Sequence, residues 1–109
     1  MSSVKASLIA KKTGDVLLLK PKGNLVASTV DGQRASMMKA LESPGKQVVL
    51  NLEAVDQIDS LGITLVLGLF KSSQKAGAVF SIEGVNPDIF RVFRLFNLPK
   101  FFSVTEAGS

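Results

Sequence analysis

A carboxylate and a hydroxyl stand side by side at Asp59-Ser60. Leu61-Gly62 and the apolar run from Ile63 to Phe70 follow them. Either side chain can cap a helix, because its oxygen accepts from the unpaired amides of the first turn. Capping is the plain reading of the pair, and a functional one needs support beyond this spacing. Thr64, one turn further on, is a second hydroxyl.

The rest of the composition narrows the chemistry. In 109 residues there is no histidine, cysteine, tryptophan or tyrosine. No Ser-His or Cys-His nucleophile can be assembled. Zinc held by histidine or cysteine is excluded, as is a disulfide framework. A general base would have to be a carboxylate or a lysine, or come from a partner. No glycine-rich phosphate loop of Walker or dinucleotide spacing follows a strand. The composition therefore favours a binding or regulatory module, not an enzyme, with no cofactor and no metal. The net charge of +4 is spread along the chain. Its densest group, Lys11, Lys12, Lys20 and Lys22, flanks one hairpin without a nucleic-acid recognition signature. No nucleic-acid partner is expected. The longest apolar run, Ile63 to Phe70, falls short of the ~20 residues of a membrane span. The first residues lack a signal-peptide core. A soluble, cytoplasmic protein without a membrane partner is expected.

The elements that must position the pair follow from periodicity. Residues 4–11 and 16–22 read as strands joined by a turn at Thr13-Gly14-Asp15. Pro21 belongs at a strand end or edge. After a loop from Gly23 to Ala27, Ser28 or Thr29 caps a helix running to about Glu42. Val30, Arg34, Met37, Met38 and Leu41 lie on one face of that helix, and the two methionines read as packing. Ser43-Pro44-Gly45 stops it. Val48-Val49-Leu50 is short, apolar and uninterrupted, the pattern of a strand covered on both faces. A second helix spans 60–76 before Gly77, and a strand spans Ala78 to Glu83. Asn86-Pro87 supplies a cap and an N1 proline for a third helix to about Phe96, which Asn97 can end. Phe101 to Thr105 makes a last strand, and 106–109 a frayed tail. The order β-β-α-β-α-β-α-β predicts one α/β domain over 1–109. Its sheet should be mixed, mostly parallel, and of about five strands. Phe90, Phe93, Phe96, Phe101 and Phe102 read as a core cluster beneath the last helix. Arg91 and Arg94 read as its solvated face.

On a wheel of the second helix, Gly62, Leu65, Val66 and Leu69 face the sheet. Ser60, Thr64, Gly68, Lys71 and Lys75 line the opposite side. Leu67 lies on that outer stripe, and Ile63 and Phe70 on its border. A stripe of hydroxyls, apolar side chains and lysines fits either a solvated face or a docking surface.

The run from Leu50 to Ile82, with Asp59-Ser60-Leu61-Gly62 at its centre, resembles the STAS domain of anti-sigma factor antagonists. There Asp-Ser-Ser-Gly-Leu opens a helix after a strand and loop. Gly23-Asn24-Leu25-Val26 resembles the family's Gly-Glu-Leu-Asp. Asn86 to Phe102 resembles its third helix and closing strand, so the resemblance covers nearly the whole chain. It implies a small mixed sheet with packed helices. It also implies phosphorylation at Ser60 by an anti-sigma factor serine kinase that uses ATP. The unphosphorylated protein would bind that kinase and free a sigma factor. A PP2C-type phosphatase would reset this partner switch, which regulates bacterial transcription. The implied docking residues are Asp59, Ser60, Leu61, Gly62, Ile63, Thr64, Leu67 and Lys71. A phosphate on Ser60 would lie at a helix N-terminus, where the dipole and free N–H groups tolerate an anion. This chain departs from the pattern at Leu61, where the family has a second serine. It departs again at Asn24 and Val26, where the family has acids. Those departures fit an alternative: a non-phosphorylated STAS interaction module of a signalling scaffold or transport complex, with Ser60 only a cap.

Overall fold

The computed structural model describes residues 7–107. The predicted strand start at 4–6 and the last two residues of the predicted tail lie outside them. Strand β1 (Ser7–Thr13) and β2 (Val16–Lys22) form an antiparallel hairpin closed between Thr13 and Val16. Then come α1 (Val30–Ala40), β3 (Gln47–Asn51), α2 (Ser60–Lys75), β4 (Val79–Val85) and α3 (Pro87–Leu95). A 3-10 turn (Leu98–Lys100) and β5 (Ser103–Glu106) complete the order. The five strands lie in sequence order, and β2, β3, β4 and β5 are mutually parallel. The expected α/β class, strand number and mixed pairing are all present. Pro21 lies beyond the last β2–β3 pair, Leu19 with Leu50, so its missing N–H costs that ladder nothing.

Sequential strand order has a consequence that the apolar strand pattern concealed. Right-handed crossovers that all step the same way put their helices on one face of the sheet. Accordingly, Leu17, Leu19, Val48, Leu50, Phe80 and Ile82 join Val30, Met37, Leu65, Leu69, Ile89 and Phe93 in one core. Alternate residues Val16, Leu18, Val49 and Ser81 are only half-buried on the other face. The expectation that Val48-Val49-Leu50 is covered on both faces is therefore corrected: Val49 lies on the uncovered side. Within α1, Gln33 is buried with Val30 and Met37, whereas Arg34 is half-exposed and pairs with Asp31 at 2.8 Å.

The predicted phenylalanine cluster divides. Phe93 and Phe102 are buried and Phe90 is half-buried, but Phe96 and Phe101 are exposed. Helix α3 ends before Phe96, and left-handed Asn97 turns the chain into the 3-10 turn. Buried Leu98 takes the core position instead. Phe102 meets Phe80 edge-on at 5.0 Å and Phe70 at 5.1 Å between ring centres. Glu106, expected in a frayed tail, belongs to β5, and the Ala107 amide donates to Val85 at 2.8 Å.

Candidate functional site

Three loops converge at the C-terminal ends of the parallel strands. Residues 23–29 follow β2, residues 52–59 follow β3, and Asn86 follows β4. The first two are tied by backbone bonds: Leu25 donates to Gln57 (3.0 Å) and Asp59 donates to Leu25 (3.2 Å). Together these make a one-residue parallel bridge of Leu25 with Ile58. The Asn24 side chain reinforces it, its oxygen accepting from the amides of Asp56 (3.1 Å) and Gln57 (3.0 Å). Asn86 caps α3 by accepting from Ile89 (2.8 Å) and donates to the carbonyl of Asp56 (3.2 Å). Thr29 does not cap α1 with its side chain. Its hydroxyl donates to the carbonyl of Asn24 and closes the 23–29 loop instead.

On this platform Asp59, not Ser60, is the N-cap of α2. One carboxylate oxygen accepts from Leu61 (3.0 Å) and Gly62 (3.1 Å), and the other from Ala27 across the loop (2.8 Å). The carboxylate therefore staples the first loop to the helix start. The N–H groups of Gly62, then Ala27, then Leu61 favour the charged form and hold the Asp59 carboxyl below its ordinary value of 3.8. Gly62 lies against the backbone of Leu25. A Cβ built there would be 2.2 Å from the Leu25 carbonyl oxygen and 2.5 Å from Cγ1 of Ile58. Only glycine lets the helix start this close to the bridge.

Relieved of capping, Ser60 is exposed, and its hydroxyl bonds no other described residue. The Thr64 hydroxyl is also exposed, but donates back to the Ser60 carbonyl at 3.0 Å. Leu61 is 45% exposed beside them. Lys71 is exposed further along α2, and Leu67 is half-buried. Ile63 does not join this surface: at 3% exposure it packs in the core, as does Gly62. The residues that can meet a partner without rearrangement are thus Ser60, Leu61, Thr64 and Lys71, with Leu67 flush and Asp59 at the edge.

The sequence profile of the STAS domain matches residues 7–107. This chain belongs to the STAS domain family. Over 92 residues it is 28% identical to the anti-sigma F factor antagonist of Paenibacillus polymyxa, covering 84% of this chain and 79% of that one. An anti-sigma factor antagonist from Mycobacterium paratuberculosis has the same fold, with a TM-score of 0.83 at 17% identity over 93% of this chain and 86% of that one. The Bacillus cell fate determinant SpoIIAA in its phosphorylated form gives a TM-score of 0.69 at 20% identity, over 90% of each chain.

Beside the exposed end of α2, this STAS domain carries an open groove of about 400 Å³. Asp56, Asp59 and Asp88 line it together with apolar side chains that include Val26, Ile58 and Val92. Two positions that depart from the family pattern thus have identifiable work. Asn24 holds the 52–59 loop, and Val26 lines the groove. Composition gave no sign of the Asn24 contact, because its partners are amides more than thirty residues away. The bridge and the Ala27 staple escaped the sequence for the same reason.

The arrangement also alters the expectation about helix amides. The N–H groups of Leu61 and Gly62 are not free; the Asp59 carboxylate already occupies them. A new anion on Ser60 would compete with that carboxylate for the same donors. Among the described residues there is no cluster of three or more carboxylates able to hold a metal ion, and no helix long and apolar enough to cross a membrane.

Proposed function

We propose that this STAS protein is an anti-sigma factor antagonist, a non-catalytic cytoplasmic regulator whose docking to a kinase-type anti-sigma factor is controlled at Ser60. One observation carries the reading: Asp59 caps α2 by itself, leaving an exposed, unbonded hydroxyl at the helix start beside Leu61. The named relatives support the direction, and the free hydroxyl supports the residue.

In the unmodified protein, Ser60, Leu61, Thr64 and Lys71 present a docking face of mixed character, with the acidic groove along one flank. The ATP-dependent kinase transfers the γ-phosphoryl group to the Ser60 oxygen. The product carries about −1.5 to −2 added charge. That charge arrives beside a carboxylate that already holds the first-turn amides, so it gains little from them. The helix dipole still offers about 0.3–1 kcal/mol, and the domain stays folded. The loss falls on docking, where unfavourable charge costs tenfold in affinity for every ~1.4 kcal/mol. A PP2C-type phosphatase restores the hydroxyl.

The test is incubation with the cognate kinase and ATP, followed by intact-mass measurement. One phosphoryl group on the wild type and none on Ser60→Ala is the expected result, with binding lost in Ser60→Asp. Equal labelling of both proteins would refute Ser60 as the acceptor. No labelling, with binding unchanged in Ser60→Asp, would leave the alternative of a STAS interaction module without a phosphoswitch. Asn24 and Val26 in place of the family's acids favour that second reading.

A further inference from the structure

Against the expectation of no membrane partner, we propose that the end of the domain opposite Ser60 binds the surface of an anionic lipid membrane. Among the described residues six large hydrophobic side chains are exposed. Three of them, Leu95 at 75%, Phe96 at 52% and Phe101 at 58%, fall within seven consecutive residues around the end of α3. Phe101 also rests near Phe70 of α2, with ring centres 6.3 Å apart. Isolated exposed hydrophobics need no explanation, but three within seven residues do.

The charges of the two elements joined there are mostly positive. Residues 60–76 contain no carboxylate, and Lys75 stands in the last turn of α2, beyond the docking face. Helix α3 has one carboxylate, Asp88, which pairs with Arg91 at 3.9 Å, and Arg94 and Lys100 follow with no carboxylate between them. Lys75, Arg94 and Lys100 are exposed. A second copy of the chain would bring like charges together at this face. The aliphatic Leu95, the most exposed of the three, offers nothing to a nucleic acid, whose bases stack on planar side chains. Protruding leucine and phenylalanine with lysine and arginine around them suit the boundary between headgroups and acyl chains, which accepts apolar side chains while anionic headgroups neutralise the cations.

The position is consistent with this assignment. Phe101 and Phe102 lead into the N-terminal end of β5, whereas Ser60 stands beyond the C-terminal end of β3. Phe70, beside which Phe101 rests, lies ten residues or about 15 Å along α2 from Ser60. A domain seated by Phe96 and Phe101 presents Ser60 away from the lipid, so both surfaces can be occupied at once.

The full-length protein should sediment with vesicles of phosphatidylcholine mixed with phosphatidylglycerol, and not with phosphatidylcholine alone. The double substitutions Leu95→Ser with Phe96→Ser, and Arg94→Glu with Lys100→Glu, should each weaken partitioning about tenfold or more. Circular dichroism melting should show that both variants fold, because the replaced side chains are exposed. Ser60→Asp should bind vesicles like the wild type. No sedimentation with anionic vesicles overturns the proposal, as does binding that both double variants retain. Self-association lost in these variants without vesicle binding would assign the face to a protein contact and overturn it equally.

Discussion

Replacing Gly62 by alanine sets two effects of opposite sign against each other within one helix. In a helix interior alanine is favoured over glycine by about 1 kcal/mol. Gly68 tests that term alone: a Cβ there meets only the Met38 methyl, at 3.7 Å, an ordinary contact. Gly68→Ala should therefore stabilise the domain by up to about 1 kcal/mol. At Gly62 the same methyl would lie 2.2 Å from the Leu25 carbonyl oxygen. Backbone, not a flexible side chain, would have to move by most of an ångström. That carbonyl accepts the Asp59 amide at 3.2 Å, and Leu25 is fully buried. Overpacking costs about 1–3 kcal/mol. Losing a buried backbone hydrogen bond costs about 1–3 kcal/mol more. Set against the helix gain, Gly62→Ala should destabilise by about 3 kcal/mol. With a urea m-value of about 1–3 kcal/mol/M, the unfolding midpoint should fall by about 1–3 M. A Gly62→Ala protein as stable as the wild type, or stabilised like Gly68→Ala, would refute the close approach of α2 to the Leu25–Ile58 bridge.

Asn24→Ala removes the acceptor of two loop amides and should cost about 1–3 kcal/mol, with faster hydrogen exchange at Asp56 and Gln57 as the specific readout. Asp59 links stability to acid. Its carboxyl is held below 3.8 in the folded state, so its contribution is complete above that value and is lost as the pH falls below it. Urea midpoints measured from about pH 6 down to about pH 2 should therefore fall less steeply in Asp59→Asn than in the wild type, and an unchanged slope would remove the cap from the account. Phe93→Ala should cost about 3–5 kcal/mol, whereas Phe96→Ala should stay within about 0.5 kcal/mol of wild type, because only Phe93 is buried.

What the sequence made legible was periodic. Alternation and helical spacing placed every strand and α-helix but not the 3-10 turn, and the wheel of α2 separated Leu65, Val66 and Leu69 from Thr64 and Lys71 as the structure does. Border residues were less secure, since Ile63 needed only a small rotation to leave the surface for the core. Val49 was misread because an apolar strand in a parallel sheet implies two covered faces, and only the sequential strand order reveals that one face is open. The five phenylalanines were grouped by proximity in sequence, but Asn97 reverses the chain between them and turns Phe96 and Phe101 outward.

The choice between Asp59 and Ser60 as cap shows why adjacent capping residues are not redundant. Spacing allows either, and a serine that capped would have its oxygen engaged with the first-turn amides. Aspartate accepts with both oxygens, so one carboxylate serves Leu61 and Gly62 while also reaching Ala27. A serine hydroxyl at position 59 has one oxygen for these three amides, and the tie between the two loops would weaken. The same choice frees the Ser60 hydroxyl, because the Leu61 and Gly62 amides already have their acceptor. It also sets how a phosphate would act. With Leu61 and Gly62 amides taken, the new group either stays in solvent at the docking face or displaces the carboxylate from them. In the first case only the interface senses it. In the second, the Ala27 staple loosens as well, and hydrogen exchange at Ala27 and Gly62 in the phosphorylated protein distinguishes the two.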